Sequence, residues 1–193
     1  MGFAHLLNTE ASLTNFKVTY RVPEDVEISY CHEGNIAIEW HPQVVFFPLM
    51  AILEGGVRFP GDPLILRTLR FYALSPDQLP SNFYRIMSCV SRLNQLYGLQ
   101  LDYHDINFMY RLCSNIRIDY YLKVKDVRVQ LILCLPDFNR NSAREYVWVS
   151  GNWHANELTY PTSPRDVGRY QTTNYLFLIL IICFSCFTCF IIV

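Results

Sequence analysis

The sequence predicts an α+β fold: an N-terminal group of three to four helices, then a small antiparallel sheet, plus one C-terminal apolar helix. Three observations carry this expectation. Apolar side chains recur at helical spacing between residues 62 and 113. The period then falls to 2 between residues 117 and 133. Finally, the nineteen residues from Tyr175 to Val193 carry no charge.

The first helix is expected over Val44 to Glu54, an almost wholly apolar run closed by Gly55-Gly56 and carrying Pro48 in its first turn. Asp62-Pro63 supplies an N-cap followed by proline at the first helical position. Ile65, Leu69 and Tyr72 continue that helix on one face, and Ser75-Pro76 ends it. Ser81 opens the strongest helix, where Phe83, Ile86, Met87, Val90, Leu93 and Tyr97 form one stripe up to Gly98. Asp102 is expected to cap a further helix bearing Ile106, Met109, Tyr110 and Cys113 at i, i+3, i+4 and i+7.

Ile118, Tyr120, Leu122 and Val124 then alternate with Arg117, Asp119, Tyr121 and Lys123, as a half-buried strand requires. Val127, Val129, Leu131 and Leu133 repeat the alternation after Lys125-Asp126, a connection without the glycine that tight hairpins prefer. Glu145 to Val149 is the third expected strand.

Composition narrows the classes available. Apolar residues make up 51% of the 193, charged residues 17%, and the net charge is −1. This excludes a disordered tail and a globally basic nucleic-acid binder. Charge is unevenly placed: residues 1–57 hold two basic and seven acidic groups, and residues 58–173 hold fourteen basic and ten acidic. The first 43 residues read as a loosely ordered leader, with Pro23-Glu24-Asp25 and few apolar repeats.

The N-terminus has neither a basic nor an apolar signal region, so an intracellular location is expected. Gly2 does not complete a myristoylation pattern, because Leu6 stands where Ser or Thr is required. Cys31, Cys89, Cys113 and Cys134 are therefore expected as reduced thiols, and their spacing fits no paired zinc pattern. Cys31-His32 with His41 offers at most half a metal site. At the other end, nineteen helical residues would span about 28 Å, close to the hydrocarbon thickness of a bilayer. Arg165 and Arg169 precede this stretch and nothing basic follows, which is the asymmetry of a tail anchor with a cytosolic body. Cys183, Cys186 and Cys189 lack a fourth ligand for an iron–sulfur cluster and read as lipid-facing or palmitoylated.

No catalytic pattern emerges. The sequence has no G-x-S-x-G elbow, phosphate-binding loop, dinucleotide turn, aspartic-protease triplet or zinc knuckle. Tyr103-His104-Asp105 falls in the first turn of an expected helix, where an acidic side chain serves the helix dipole. No catalytic, metal-binding or cofactor-binding residue is assigned, and neither a cofactor nor a small-molecule substrate is expected. The candidate contacts are Arg67, Arg70, Arg85 and Arg92, on the polar sides of two neighbouring helices. Arginine outnumbers lysine thirteen to three, and such a face suits a phosphate backbone.

A longer pattern joins several of these elements. Phe47-Pro48-Leu49, Leu53-Glu54-Gly55-Gly56-Val57-Arg58-Phe59-Pro60, Leu69, Tyr72, Leu74 and Ser75-Pro76-Asp77-Gln78-Leu79-Pro80-Ser81-Asn82 follow one another at set spacings. A long helix comes next, then Tyr120-Tyr121, Tyr146-Val147-Trp148-Val149 and Gly151-Asn152-Trp153. From Phe46 to Trp153 the chain resembles the putative gypsy-type transposon domain of gag-like reading frames in plant LTR retrotransposons. That resemblance implies a non-enzymatic interaction or assembly domain acting by self-association or partner binding. Members of that family continue into long charged regions; here the apolar tail stands instead, which implies a shortened copy whose tail is read from outside the element.

The expected organisation is thus a leader (1–43), a gypsy-type-like domain (44–154), a linker (155–174) and a transmembrane-like tail (175–193). The leading functional expectation is a non-enzymatic, retrotransposon-derived assembly domain. A tail-anchored membrane protein is the alternative, and a weak nucleic-acid-binding module the third.

Overall fold

The computed structural model describes residues 3–32, 35, 44–114, 120–129, 131–132, 135 and 145–154. Within them the fold is α+β, with five α-helices, a three-stranded antiparallel sheet and a separate two-stranded ribbon. The helices are α1 (Glu10–Tyr20), α2 (Leu49–Leu53), α3 (Pro63–Tyr72), α4 (Ser81–Tyr97) and α5 (Tyr103–Met109). The strands are β1 (Val26–His32), β2 (Val45–Pro48), β3 (Tyr110–Ser114), β4 (Tyr120–Val124) and β5 (Glu145–Gly151).

Residues 3–32 correct the expectation of a loosely ordered leader. Thr9 and Ser12 close a reciprocal capping box on α1: Ser12 N–H donates to Thr9 Oγ1 at 3.1 Å, and Thr9 N–H to Ser12 Oγ at 3.0 Å. The helix packs through Phe16, which stacks on Tyr20 at 4.5 Å. β1 then joins β5 in antiparallel register from Val26↔Gly151 to His32↔Glu145. The Phe3 amide also donates to both oxygens of Glu145, at 2.8 and 2.9 Å.

The order of helices first and sheet second is likewise corrected. The sheet runs β1-β5-β2, so its central strand comes from the far end of the described body and its flanking strands precede most of the helices. One face presents Val26, Ile28, Val45, Phe47, Val147 and Val149 to the main core, shared with α2, α3 and α4. The other carries a smaller buried cluster of Cys31, Val44, Phe46 and Tyr146, with Trp148 packed against it.

Val44 to Glu54 is a strand followed by a helix. Val45–Pro48 pairs with β5 from Val45↔Val149 to Pro48↔Tyr146, and only Leu49–Leu53 is helical. All four strand residues are buried, and a continuous apolar run on a doubly covered strand cannot be told from a buried helix by periodicity. Pro48, which lacks an N–H, sits at the N-cap of α2.

The next two helices follow their punctuation. Asp62 accepts from Leu64 N–H at 2.8 Å ahead of Pro63, and α4 runs from Ser81 to its cap at Gly98. α3 ends at Tyr72, three residues before the expected stop, with Ala73 in a left-handed conformation as its cap. Tyr84, fully buried on α4, donates to the Pro76 carbonyl at 2.7 Å, and burial pushes its hydroxyl well above the ordinary tyrosine pKa.

α5 stops at Met109, four residues short of the expected end. Tyr110–Ser114 is extended and pairs with β4 from Tyr110↔Val124 to Ser114↔Tyr120. Tyr110 and Cys113 would share a face of a helix, but three residues apart on a strand they point to opposite faces, and pairing with β4 decides between the two. The strand expected from Val127 is corrected too: Val127–Val129 forms a single 3-10 turn. Asp126 accepts from Arg128 N–H at 2.9 Å, which curls the chain instead of extending it. Leu133, Arg117, Ile118, Asp119, the 155–174 linker and the 175–193 tail lie outside the described residues.

Candidate functional site

The residues that carry the family-like pattern are engaged in the fold. The amides of Glu54 and Gly55 both donate to the Met50 carbonyl at 3.0 Å, and Val57 N–H returns to Ala51 at 3.0 Å, which closes α2. Ser88 Oγ donates to the Gly55 carbonyl at 2.9 Å. Arg58 Nη1 donates to the carbonyls of Ile52 and Val57, at 3.0 and 2.7 Å, and its guanidinium lies 5.1 Å from the Tyr20 ring centre. In Ser75-Pro76-Asp77-Gln78, the buried Gln78 side chain accepts from Ser75 N–H at 3.0 Å, and the Ser75 hydroxyl bonds the Asp77 carboxylate. These turns fix chain direction.

The four arginines differ in what they engage. Arg67 and Arg70 stand exposed on α3, and Arg92 is exposed on α4. Arg85 is drawn down: its side chain keeps 19% of its exposure, pairs with the Glu54 carboxylate, and donates to Asn82 Oδ1 at 2.8 Å and the Glu54 carbonyl at 3.2 Å. It ties α4 to the end of α2. Sequence alone could not show this, because Glu54 comes within reach only through the packing of those helices.

Tyr103-His104-Asp105 forms the expected cap. Asp102 accepts from His104 N–H at 2.7 Å, and Asp105 Oδ2 accepts from Asp102 N–H at 2.9 Å. Tyr103 stacks on Phe71 of α3 at 4.7 Å, so the rings join two helices. Cys31 is buried, and its thiol donates to the His32 carbonyl at 3.4 Å, whereas His41 lies outside the described residues. Among the described residues, no group of three His, Cys, Asp or Glu side chains could hold a metal ion, and no helix is long and apolar enough to cross a membrane.

Two surfaces remain. One lies where α4 ends: Leu96 and Tyr97 are 51% and 50% exposed. Asn94 holds the intervening turn rigid, donating to the Leu101 carbonyl at 2.8 Å and accepting from Leu101 N–H at 3.0 Å. The other is the outward face of the β3–β4 ribbon, with Arg111 opposite Lys123 and Cys113 opposite Tyr121. Expecting Tyr110 and Cys113 on a helix concealed this second surface.

No family model matches the chain, and neither a curated protein nor a solved structure is significantly similar to it.

Proposed function

We propose that this chain is a non-catalytic interaction module, similar to the gag-like domains of plant retrotransposons, that acts by associating with copies of itself. The observation that carries this reading is the placement of Leu96 and Tyr97, both about half exposed, at the exit of the longest helix beside a turn held by Asn94. Exposed large apolar side chains at one rigid place favour association more than catalysis. The engagement of the pattern residues in caps and turns is in keeping with a scaffold.

Light scattering on residues 1–173 tests this reading. The expected mass lies above monomer and rises with concentration, and Leu96→Asp combined with Tyr97→Asp returns it to monomer. A concentration-independent monomer from the unaltered sequence would exclude self-association.

The second reading is a tail-anchored membrane protein, which the uncharged stretch Tyr175 to Val193 behind Arg165 and Arg169 favours. The full chain is then expected to resist alkaline carbonate extraction from membranes while residues 1–173 are released. Release of both would exclude an anchor.

A further inference from the structure

The β3–β4 ribbon has two unlike faces. Tyr110, Leu112, Tyr120, Leu122 and Val124 lie on one, in or against the main core. Residues directly opposite each other in an antiparallel pair share a face, so the register sets Arg111 beside Lys123 and Cys113 beside Tyr121 on the other. Arg111, Lys123 and Tyr121 are all exposed.

Two cations placed directly opposite each other destabilise a strand pair. Neither cation takes part in the ion pairs of Glu54 with Arg85 and of Asp126 with Arg128. Lys125, just beyond the strand, continues the basic side, with its ammonium donating to the Asn107 carbonyl at 2.5 Å. Between residues 110 and 130 the sequence has five basic and two acidic groups, against a net charge of −1 for the whole chain. An arrangement that costs the isolated fold stability, and that sets two exposed cations side by side on one face, fits a polyanion.

The exposed Tyr121 ring selects among polyanions. Lys123 and Tyr121 are two positions apart on one strand face, about 6.6 Å at strand rise. A cation and an aromatic face at that spacing suit a phosphate and its neighbouring unpaired base. A lipid surface would call for several apolar side chains to insert, and this face offers one tyrosine.

We propose that the outward face of the β3–β4 ribbon binds single-stranded nucleic acid, with Arg111 and Lys123 on the phosphate backbone and Tyr121 stacking on a base. This site uses none of Leu96, Tyr97, Arg67, Arg70, Arg85 and Arg92, and does not depend on self-association.

The test is fluorescence anisotropy of a labelled oligo(dT) strand titrated with the full chain in a mild non-ionic detergent, over a salt series. Affinity is expected to fall with salt at a log–log slope of about −1.4, two phosphates neutralised. Arg111→Glu should weaken binding by about tenfold or more at low salt. It should also raise the melting temperature, because the carboxylate introduced there would face Lys123 with opposite charge, and a misfolded variant could not do both. Lys123→Gln should weaken binding and flatten the slope, and Tyr121→Ala should cost about tenfold. Arg67→Glu with Arg70→Glu should leave binding unchanged. The proposal is overturned if the unaltered chain does not bind, if Arg111→Glu binds as well as the unaltered chain, or if the Arg67 and Arg70 changes abolish binding instead. Tighter capture by phosphatidylserine vesicles than by oligo(dT) would also overturn it, in favour of a lipid surface.

Discussion

Phe47→Ala is expected to destabilise the fold by about 3–5 kcal/mol, a large share of the total stability of an ordinary domain. Phe47 is 1% exposed and sits on β2 where the sheet meets the helices. Its ring touches Phe59 edge-on at 5.6 Å, Trp153 edge-on at 5.7 Å and Tyr84 at 6.2 Å. These partners come from the loop after α2, the turn after β5, and α4. Removing the ring leaves a cavity bordered by three different parts of the chain, none of which can close it alone. The edge-to-face geometry is lost as well, beyond the area term. Phe47→Leu fills most of the volume and should cost markedly less. Denaturant unfolding of both variants checks this, and a Phe47→Ala cost below about 1 kcal/mol would mean that the ring is not the junction described.

What the sequence discloses follows from how local each signal is. The Asp62-Pro63 start and the Asp102 cap were legible because a helix terminus is satisfied by side chains within three residues of it. β5 was legible as a short run of aromatic and β-branched residues, Tyr146-Val147-Trp148-Val149. β1 was not, because its Val26 and Ile28 gain their meaning from Gly151 and Val149, more than a hundred residues away. β2 was hidden by being buried on both faces, and β3 by the i, i+3, i+4, i+7 stripe from Ile106 to Cys113, which carries the helical period past Met109. The candidate sites divide in the same way. Four arginines could be picked out by type and spacing, but the Glu54 carboxylate that occupies Arg85 is thirty-one residues away and is brought there by packing. The cation pair on the ribbon needed a register that joins Arg111 to Lys123.

Gly55→Ala is the second large effect, expected at about 3 kcal/mol from a single added methyl group. A Cβ at position 55 would lie 2.5 Å from the Ala51 carbonyl oxygen, 2.9 Å from Ala51 Cα and 2.7 Å from Tyr84 Cβ. None of these is the free end of a flexible side chain: two are backbone atoms of α2 and the third is the root of a fully buried ring on α4. Relief would require the turn after α2 to open away from Ala51 and α2 to separate from α4, to which it is joined there by the Ser88 hydroxyl on the Gly55 carbonyl and by Arg85 on Glu54. Gly98→Ala is the matched control. It caps α4 at φ 63°, and an added Cβ there meets nothing within 4 Å. Its cost is the left-handed backbone alone, about 1 kcal/mol. If denaturant unfolding gave the two substitutions equal costs, the close approach of α2 to α4 would be wrong. The larger cost at Gly55 would make the Gly-Gly pair a packing requirement, which accounts for glycine at position 55 without any phosphate or substrate.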